Sequence, residues 1–257
     1  MRTIAVLNQK GGVGKTSTAH AIGTGLARRG YRVLFLDLDG QGNLTYILKG
    51  QTSGETVITL LNQLLESGSC NPERAIQHTE TGDLIASSPA LTGADTVLAD
   101  VTGREYKIKE LLAPLQSLYD YCIIDTPPTL GTLTINALTA STDAIAPAQA
   151  DMFSLTGLAQ LHTTIETVKR YCNPSIAFRG VVLTRYSSRA VISREVADKI
   201  AEVARQYGAK LYSSKIRECT AVKEAQLTQT DIYSYAPKSN ATADYTALVN
   251  EIIAEER

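Results

Sequence analysis

Short runs of consecutive apolar residues alternate along this chain with longer stretches whose apolar positions recur every three or four residues. The first pattern marks strands buried on both faces and the second marks helices with one buried face. Their alternation predicts an α/β fold, a doubly wound, mostly parallel sheet flanked by helices. Strands are expected at Ile4-Leu7, Val33-Leu38, Leu84-Ala86, Tyr121-Asp125, Ala144-Pro147 and Gly180-Thr184, with a shorter one at Lys210-Tyr212. After Thr16, residues Ala19, Ile22, Leu26 and Ala27 share one helix face, and Gly30 is placed to end that helix. Helical spacing returns in Val57-Leu65, Leu155-Val168, Val191-Tyr207 and Tyr245-Ala254, whereas residues 66–82 and 212–220 read as loops. With no repeat, low-complexity tract or linker, 257 residues fit one domain spanning 1–257.

Composition removes several classes of function. Lys plus Arg (25) nearly balance Asp plus Glu (26), so a uniformly basic nucleic-acid binder is excluded and any such face must be local. The N-terminus enters a strand pattern without a basic-then-apolar leader, and no apolar run approaches the roughly 18 residues of a membrane span. A cytoplasmic protein is therefore expected. Cys70, Cys122, Cys172 and Cys219 are far apart, with no CxxC pair for zinc, cluster or dithiol chemistry, and read as reduced thiols. His20, His78 and His162 share no metal-ligand spacing.

Chemistry concentrates at three strand ends. The first is NQKGGVGKT, Asn8 to Thr16, where a glycine-rich turn joins an expected strand to an expected helix. That context suits phosphate: Gly11, Gly12 and Gly14 let backbone N–H groups wrap it, Lys15 can reach the β- and γ-phosphates, and Thr16 can offer its hydroxyl to Mg²⁺. The standard loop formula wants glycine at Gln9 and has no use for Lys10. A cation at that point cannot easily fold back on phosphates its own backbone surrounds, but it can serve a second subunit in trans, as an arginine finger does. The second strand end is DLDGQGN, where alternation puts Asp37 and Asp39 on one side of a strand. Third, YCIIDTPP ends a buried strand in Asp125, the position of a Mg²⁺-associated carboxylate, followed by a Pro-stiffened turn to Gly131.

KGGVGKT resembles the deviant phosphate-loop signature of the ParA/MinD ATPase superfamily. The resemblance continues through INALTASTDAIAPAQADMFSLTGLAQL, GVVLTRY, KIRECTAVKEAQ and YAPKSNATADYTALVNEI, and covers nearly the whole chain. These segments look like ParA partition ATPases of the short type, which lack an N-terminal helix-turn-helix extension. The resemblance implies a P-loop NTPase with ATP and Mg²⁺ as cofactors, nucleotide held by Gly11, Gly12, Val13, Gly14, Lys15, Thr16 and Ser17, and metal held by Thr16, Asp39 and Asp125. Lys10, Lys15 and Asp39 would be the catalytic residues, with Lys10 contacting the partner subunit's nucleotide in an ATP-bound homodimer and Asp39 positioning the attacking water. Asp37 would support the metal and lysine network, and the turn after Asp125 would act as switch II.

Thr184 is implied to contact adenine and Tyr235-Ala236-Pro237 to close over the base. Family members have proline at Gly40 and usually glycine near Gln229 and Ala241. The implied partners are nonspecific DNA and a ParB-type adaptor that stimulates hydrolysis, with no membrane and with nucleoid association in the ATP state. DNA candidates are Arg185, Arg189, Arg194, Lys199, Lys215, Arg217, Lys223 and Lys238, with Arg217 and Lys238 in family-like segments. Competing readings on the same scaffold are a MinD-like positioning regulator, which needs a basic amphipathic C-terminal helix, and an ATP-dependent small-molecule enzyme. The segment Leu248 to Arg257 is acidic.

Overall fold

The computed structural model describes residues 1–187 and 190–255. Among these, one sheet is built from β1 (Arg2–Val6), β2 (Val33–Asp37), β3 (Ile76–Thr79), β4 (Gly82–Ile85), β5 (Tyr121–Asp125), β6 (Asp143–Ala148), β7 (Ala177–Leu183) and β8 (Lys210–Leu211). The strand order is β3-β4-β2-β5-β1-β6-β7-β8, and every pairing is parallel except β3 with β4. The helices are α1 (Lys15–Ala27), α2 (Asn43–Ile47), α3 (Val57–Ser67), α4 (Ala94–Val97), α5 (Lys107–Leu112), α6 (Thr132–Ala140), α7 (Met152–Tyr171), α8 (Val191–Gln206), α9 (Thr220–Leu227), α10 (Ile232–Tyr235) and α11 (Asn240–Ala254). The expected doubly wound architecture is the one observed.

Strand alternation decides which residue meets which helix layer. Ile4, Val6, Val33 and Phe35 pack on one face with Ile22 and Leu26 of α1 and with Tyr245, Leu248 and Ile252 of α11. Ala5, Leu34 and Leu36 point the other way, toward Leu60 of α3, Leu111 of α5 and Leu158 of α7. Each fully buried side chain of this size contributes about 1.5–3 kcal/mol of apolar transfer. At the far end of the sheet, Arg2 bonds Asp143 (2.6 Å), the Ile252 carbonyl (3.0 Å) and Glu255 (3.3 Å), which fastens α11 to β1 and β6.

One local expectation changes. Residues 66–82 are not all loop, because β3 pairs antiparallel with β4 at the sheet edge. Its sequence, Ile76-Gln77-His78-Thr79, is only partly covered, so it lacks the continuous apolar run that marks the inner strands. Helix α6 has no clear amphipathic period because Leu133, Thr134, Asn136, Ala137, Leu138 and Thr139 are all buried, surrounding the helix with protein. Gln229 and Ala241, where the resemblance implies glycine, are both described. Gln229 has a left-handed backbone (φ 50°), the conformation glycine favours, while its side chain donates to the Tyr46 carbonyl at 2.8 Å. Ala241 lies buried in the first turn of α11.

β1 sits between β5 and β6, and the chain leaves it toward β2 on one side and later returns to β6 on the other. The carboxyl ends of β1, β2 and β5 therefore meet at the switch in winding, where open α/β sheets bind ligands.

Candidate functional site

The loop from Asn8 to Gly14 leaves β1 and runs into α1. Gly12 (φ 72°) and Gly14 (φ 85°) adopt the left-handed region, which a side chain would strain, and Gly14 caps the helix. Side chains from other strand ends pin this backbone. Asn8 donates from Nδ2 to the Pro147 carbonyl (2.7 Å) and accepts from the Lys10 N–H (3.0 Å). Thr126 donates to the Val6 carbonyl (3.0 Å), and Thr184 donates to the Val13 carbonyl (2.7 Å). Asn8 and Thr126 were not singled out from the sequence, although a polar residue directly following a buried apolar strand is the signal that marks both. The loop, Lys15, Thr16, Ser17 and Asp39 line an open cavity of about 670 Å³, within the range of ligand pockets. Val13 is buried beneath it, so its contribution to a ligand is limited to backbone.

The charged groups at the cavity floor constrain one another. Lys15 is buried, and desolvation lowers its pKa, opposed by the nearby charges of Asp125 and Asp39. Asp37 and Asp125 are register partners on β2 and β5, so two carboxylates lie side by side with no solvent exposure. Desolvation pushes Asp125 well above the usual carboxylate range, and Asp37 adds to the rise against the Thr16 hydrogen bond and the Lys15 charge. Asp37 is raised to about 6, chiefly by burial. Its oxygens accept from the Asp39 N–H (3.1 Å), the Thr45 N–H (2.8 Å) and the Thr45 hydroxyl (2.7 Å). Asp37 therefore holds the β2–α2 loop beside Asp125, at the edge of the metal and lysine network it was expected to support.

Asp39 stands past the end of β2 at the cavity wall. Its Oδ1 accepts from the Gln41 N–H at 3.0 Å, which leaves Oδ2 facing no hydrogen-bond donor among the described residues. Ser87, a further residue the sequence did not flag, donates to the Asp39 carbonyl at 2.7 Å and fixes the loop to the end of β4. Gly40 packs closely against Thr92. A Cβ there would lie 2.9 Å from the Thr92 backbone nitrogen, so glycine permits the close approach of the following loop.

Thr16 donates from Oγ1 to Asp125 Oδ2 at 2.7 Å, while Asp125 Oδ1 is fully buried without a hydrogen-bond partner. A hydroxyl and an orphaned carboxylate oxygen suit a hard, oxygen-seeking cation such as Mg²⁺. No cluster of three or more His, Cys, Asp or Glu ligands occurs among the described residues.

Lys10 does not approach the cavity. Its Nζ bonds Asp151 Oδ2 at 2.5 Å and lies 5.9 Å from the Phe153 ring centroid. Burial works against the Asp151 charge, but the Lys10 bond and the Ser154 N–H outweigh it and keep that carboxyl below its ordinary pKa. Beside this pair Met152 and Phe153 are 57% and 79% exposed at the start of α7.

The base-side expectations divide. Thr184 lines a smaller cavity of about 70 Å³ together with Gly14, Ser17, Arg217, Glu218 and Cys219. Pro237 is exposed in the turn between α10 and α11 and lines neither cavity, whereas Ile216 to Cys219 and Val222, on the approach to α9, line the smaller one. Of the DNA candidates, Lys215 lies 4.7 Å from the Tyr186 ring centroid, and Arg217 grips Asp244 through Nε (2.9 Å) and Nη2 (2.6 Å). Lys238 is exposed beside Pro237, and Arg189 lies outside the described residues.

Comparison with known proteins agrees with this geometry. An AAA domain family model matches residues 1–178. The chromosome partitioning protein ParA of Caulobacter vibrioides is 37% identical over 262 residues, covering 100% of this chain and 96% of that one. The sporulation initiation inhibitor protein Soj of Bacillus subtilis is 36% identical, covering 98% of each. Among solved structures, cobyrinic acid a,c-diamide synthase from Mycobacterium smegmatis with bound ATP analog and magnesium superposes with a TM-score of 0.84 at 33% identity, covering 100% of this chain and 96% of that one.

Proposed function

The chain belongs to the ParA/MinD superfamily of P-loop ATPases, which use ATP with Mg²⁺, and from that premise we propose that its hydrolysis times the partitioning of DNA. ATP closes a homodimer, the dimer holds nonspecific DNA on the nucleoid, and a ParB-type adaptor stimulates hydrolysis to release it. The observation that carries the dimer is Lys10, turned off its own loop onto Asp151 beside the exposed Met152 and Phe153. Exchanging Asp151 for the nucleotide of a second subunit would bury those apolar side chains at the same time. Arg189, Lys215, Arg217 and Lys238 supply phosphate contacts to DNA, a mode that is sequence-independent and salt-sensitive.

Within each site, the Gly11–Gly14 backbone and Lys15 bind the phosphates, and Asp39 Oδ2 orients the attacking water. Thr16 and Asp125 would hold Mg²⁺, which would supply charge neutralisation of the phosphate oxygens. Turnover without the adaptor is slow, because a site lacking its activating partner leaves the transition state under-stabilised.

The MinD-like reading finds little support, since the apolar face of α11, Tyr245, Leu248, Val249 and Ile252, is buried against the sheet and α1. No described helix is long and apolar enough to cross a membrane. The test is binding to nonspecific duplex DNA with ADP and with ATP, using Asp39→Ala to hold the ATP state, across a salt series. Retention only with ATP, weakening steeply with salt, is expected. Absence of binding in both states despite ATP turnover would overturn the partition reading in favour of a small-molecule enzyme.

A further inference from the structure

Two cations stand in the wall shared by the large and small cavities, Arg185 after β7 and Lys223 on α9. Neither has an ion-pair or ring partner among the described residues, whereas the neighbouring Arg217 and Lys215 are engaged by Asp244 and Tyr186. The wall is tied to the phosphate loop: Gln226 of α9 donates from Nε2 to Ser17 Oγ at 2.7 Å, on the first turn of α1. That turn is the helix end that favours phosphate.

Arg185 also has a left-handed backbone (φ 48°), uncommon for a residue with a side chain. Its neighbours hold it there. The Thr184 N–H donates to the Ala148 carbonyl (2.8 Å), and the Tyr186 N–H donates to the Ile216 carbonyl (3.0 Å). Strain maintained by anchored neighbours is characteristic of ligand clamps. The two cavities together are lined by Lys15, Arg185, Arg217 and Lys223 against Asp39 and Glu218, four cations to two carboxylates, so the wall carries an excess of positive charge.

We propose that Arg185 and Lys223 are nucleotide-contacting residues, a cationic clamp on the side of the phosphate chain that faces the base and ribose, and not part of a DNA surface. A nucleoside polyphosphate seated on Gly12, Gly14 and Lys15 brings its negative charge to this wall, and the clamp adds recognition that the loop alone does not supply. The inference rests on nucleotide binding and is independent of the DNA reading, so its test contains no DNA.

Mg·ADP is titrated calorimetrically into the full chain and into Arg185→Ala, Lys223→Ala, Arg185→Lys and Lys223→Arg, with unfolding midpoints recorded without nucleotide. Each alanine variant is expected to weaken Kd by at least about tenfold, as for loss of one charged hydrogen bond. The charge-conserving variants should recover most of that loss, with midpoints unchanged. Affinity within twofold of the parent for both alanine variants would overturn the proposal. So would weakening accompanied by a lowered nucleotide-free midpoint that the charge-conserving variants fail to restore, because that pattern belongs to packing.

Discussion

Thr184→Val isolates the hydroxyl that anchors the phosphate loop from the far side of the sheet. Thr184 is 3% exposed and donates from Oγ1 to the Val13 carbonyl at 2.7 Å. Valine keeps the branched shape and the volume but turns a methyl group toward a buried carbonyl, so the substitution is polar and not steric. Loss of a buried hydrogen bond with its acceptor left unpaired costs about 1–3 kcal/mol. The Ala148 carbonyl, a second acceptor at 3.2 Å, keeps the Thr184 N–H at 2.8 Å, so the deficit falls on the loop alone. Denaturant unfolding should show the stability loss with an unchanged m-value. If about 1.4 kcal/mol of it appears as a looser loop, Kd for Mg·ADP rises about tenfold. Thr184→Ser keeps the donor and should stay near the parent in affinity. Unchanged affinity in Thr184→Val would refute the anchoring argument, and an equal loss in Thr184→Ser would transfer the effect to the methyl group, whose Cγ2 lies 3.8 Å from where a Gly14 Cβ would sit.

Other consequences concern dimerisation, the core and pH. Lys10→Ala should keep Mg·ADP affinity and lose the ATP-dependent dimer in light scattering; an undiminished dimer sinks the trans-lysine assignment. Gly23→Ala places a Cβ 2.1 Å from Phe35 Cε1, so overpacking of about 1–3 kcal/mol should exceed the ~1 kcal/mol helix-propensity gain, and Phe35→Leu should relieve it. A Gly23→Ala protein as stable as the parent would show that Phe35 has room to move. His20 is buried and its pKa is lowered to about 4, mainly by desolvation, so its neutral form stabilises the fold above the unfolded value of 6.5. That contribution, about 3 kcal/mol, is lost as pH falls through the folded value. In His20→Phe the stability difference from the parent should therefore shift by that amount between pH 7 and pH 4, and a pH-independent difference would contradict it.

The sheet was legible because inner strands buried on both faces must be continuously apolar, as in Tyr121–Asp125 and Val33–Asp37. Where that rule relaxes, legibility fails: β3 is a half-covered edge strand, and α6 is surrounded by protein and carries no period. The phosphate loop was legible for a similarly local reason, since Gly12 and Gly14 require left-handed backbone and Lys15 and Thr16 follow them directly in sequence. These features depend on neighbours a few residues away.

The roles of single charged residues depend on which elements fold against them. Spacing placed Asp37 beside Asp39, but the register of β2 on β5 set Asp37 against Asp125 and turned its oxygens to Thr45 and the Asp39 N–H. Charge and sequence position put Arg185 and Lys223 among the DNA candidates, yet the end of β7 brings the first, and the contact of α9 with α1 the second, to the wall of the phosphate-loop cavity. Sequence thus determined the inner strands, the phosphate loop and the superfamily, because each is encoded by periodicity or contiguous backbone demands. Tertiary structure alone decided where Lys10 rests, what Asp37 holds and which cations face the cavity, because a side chain's partner is set by the elements folded against it.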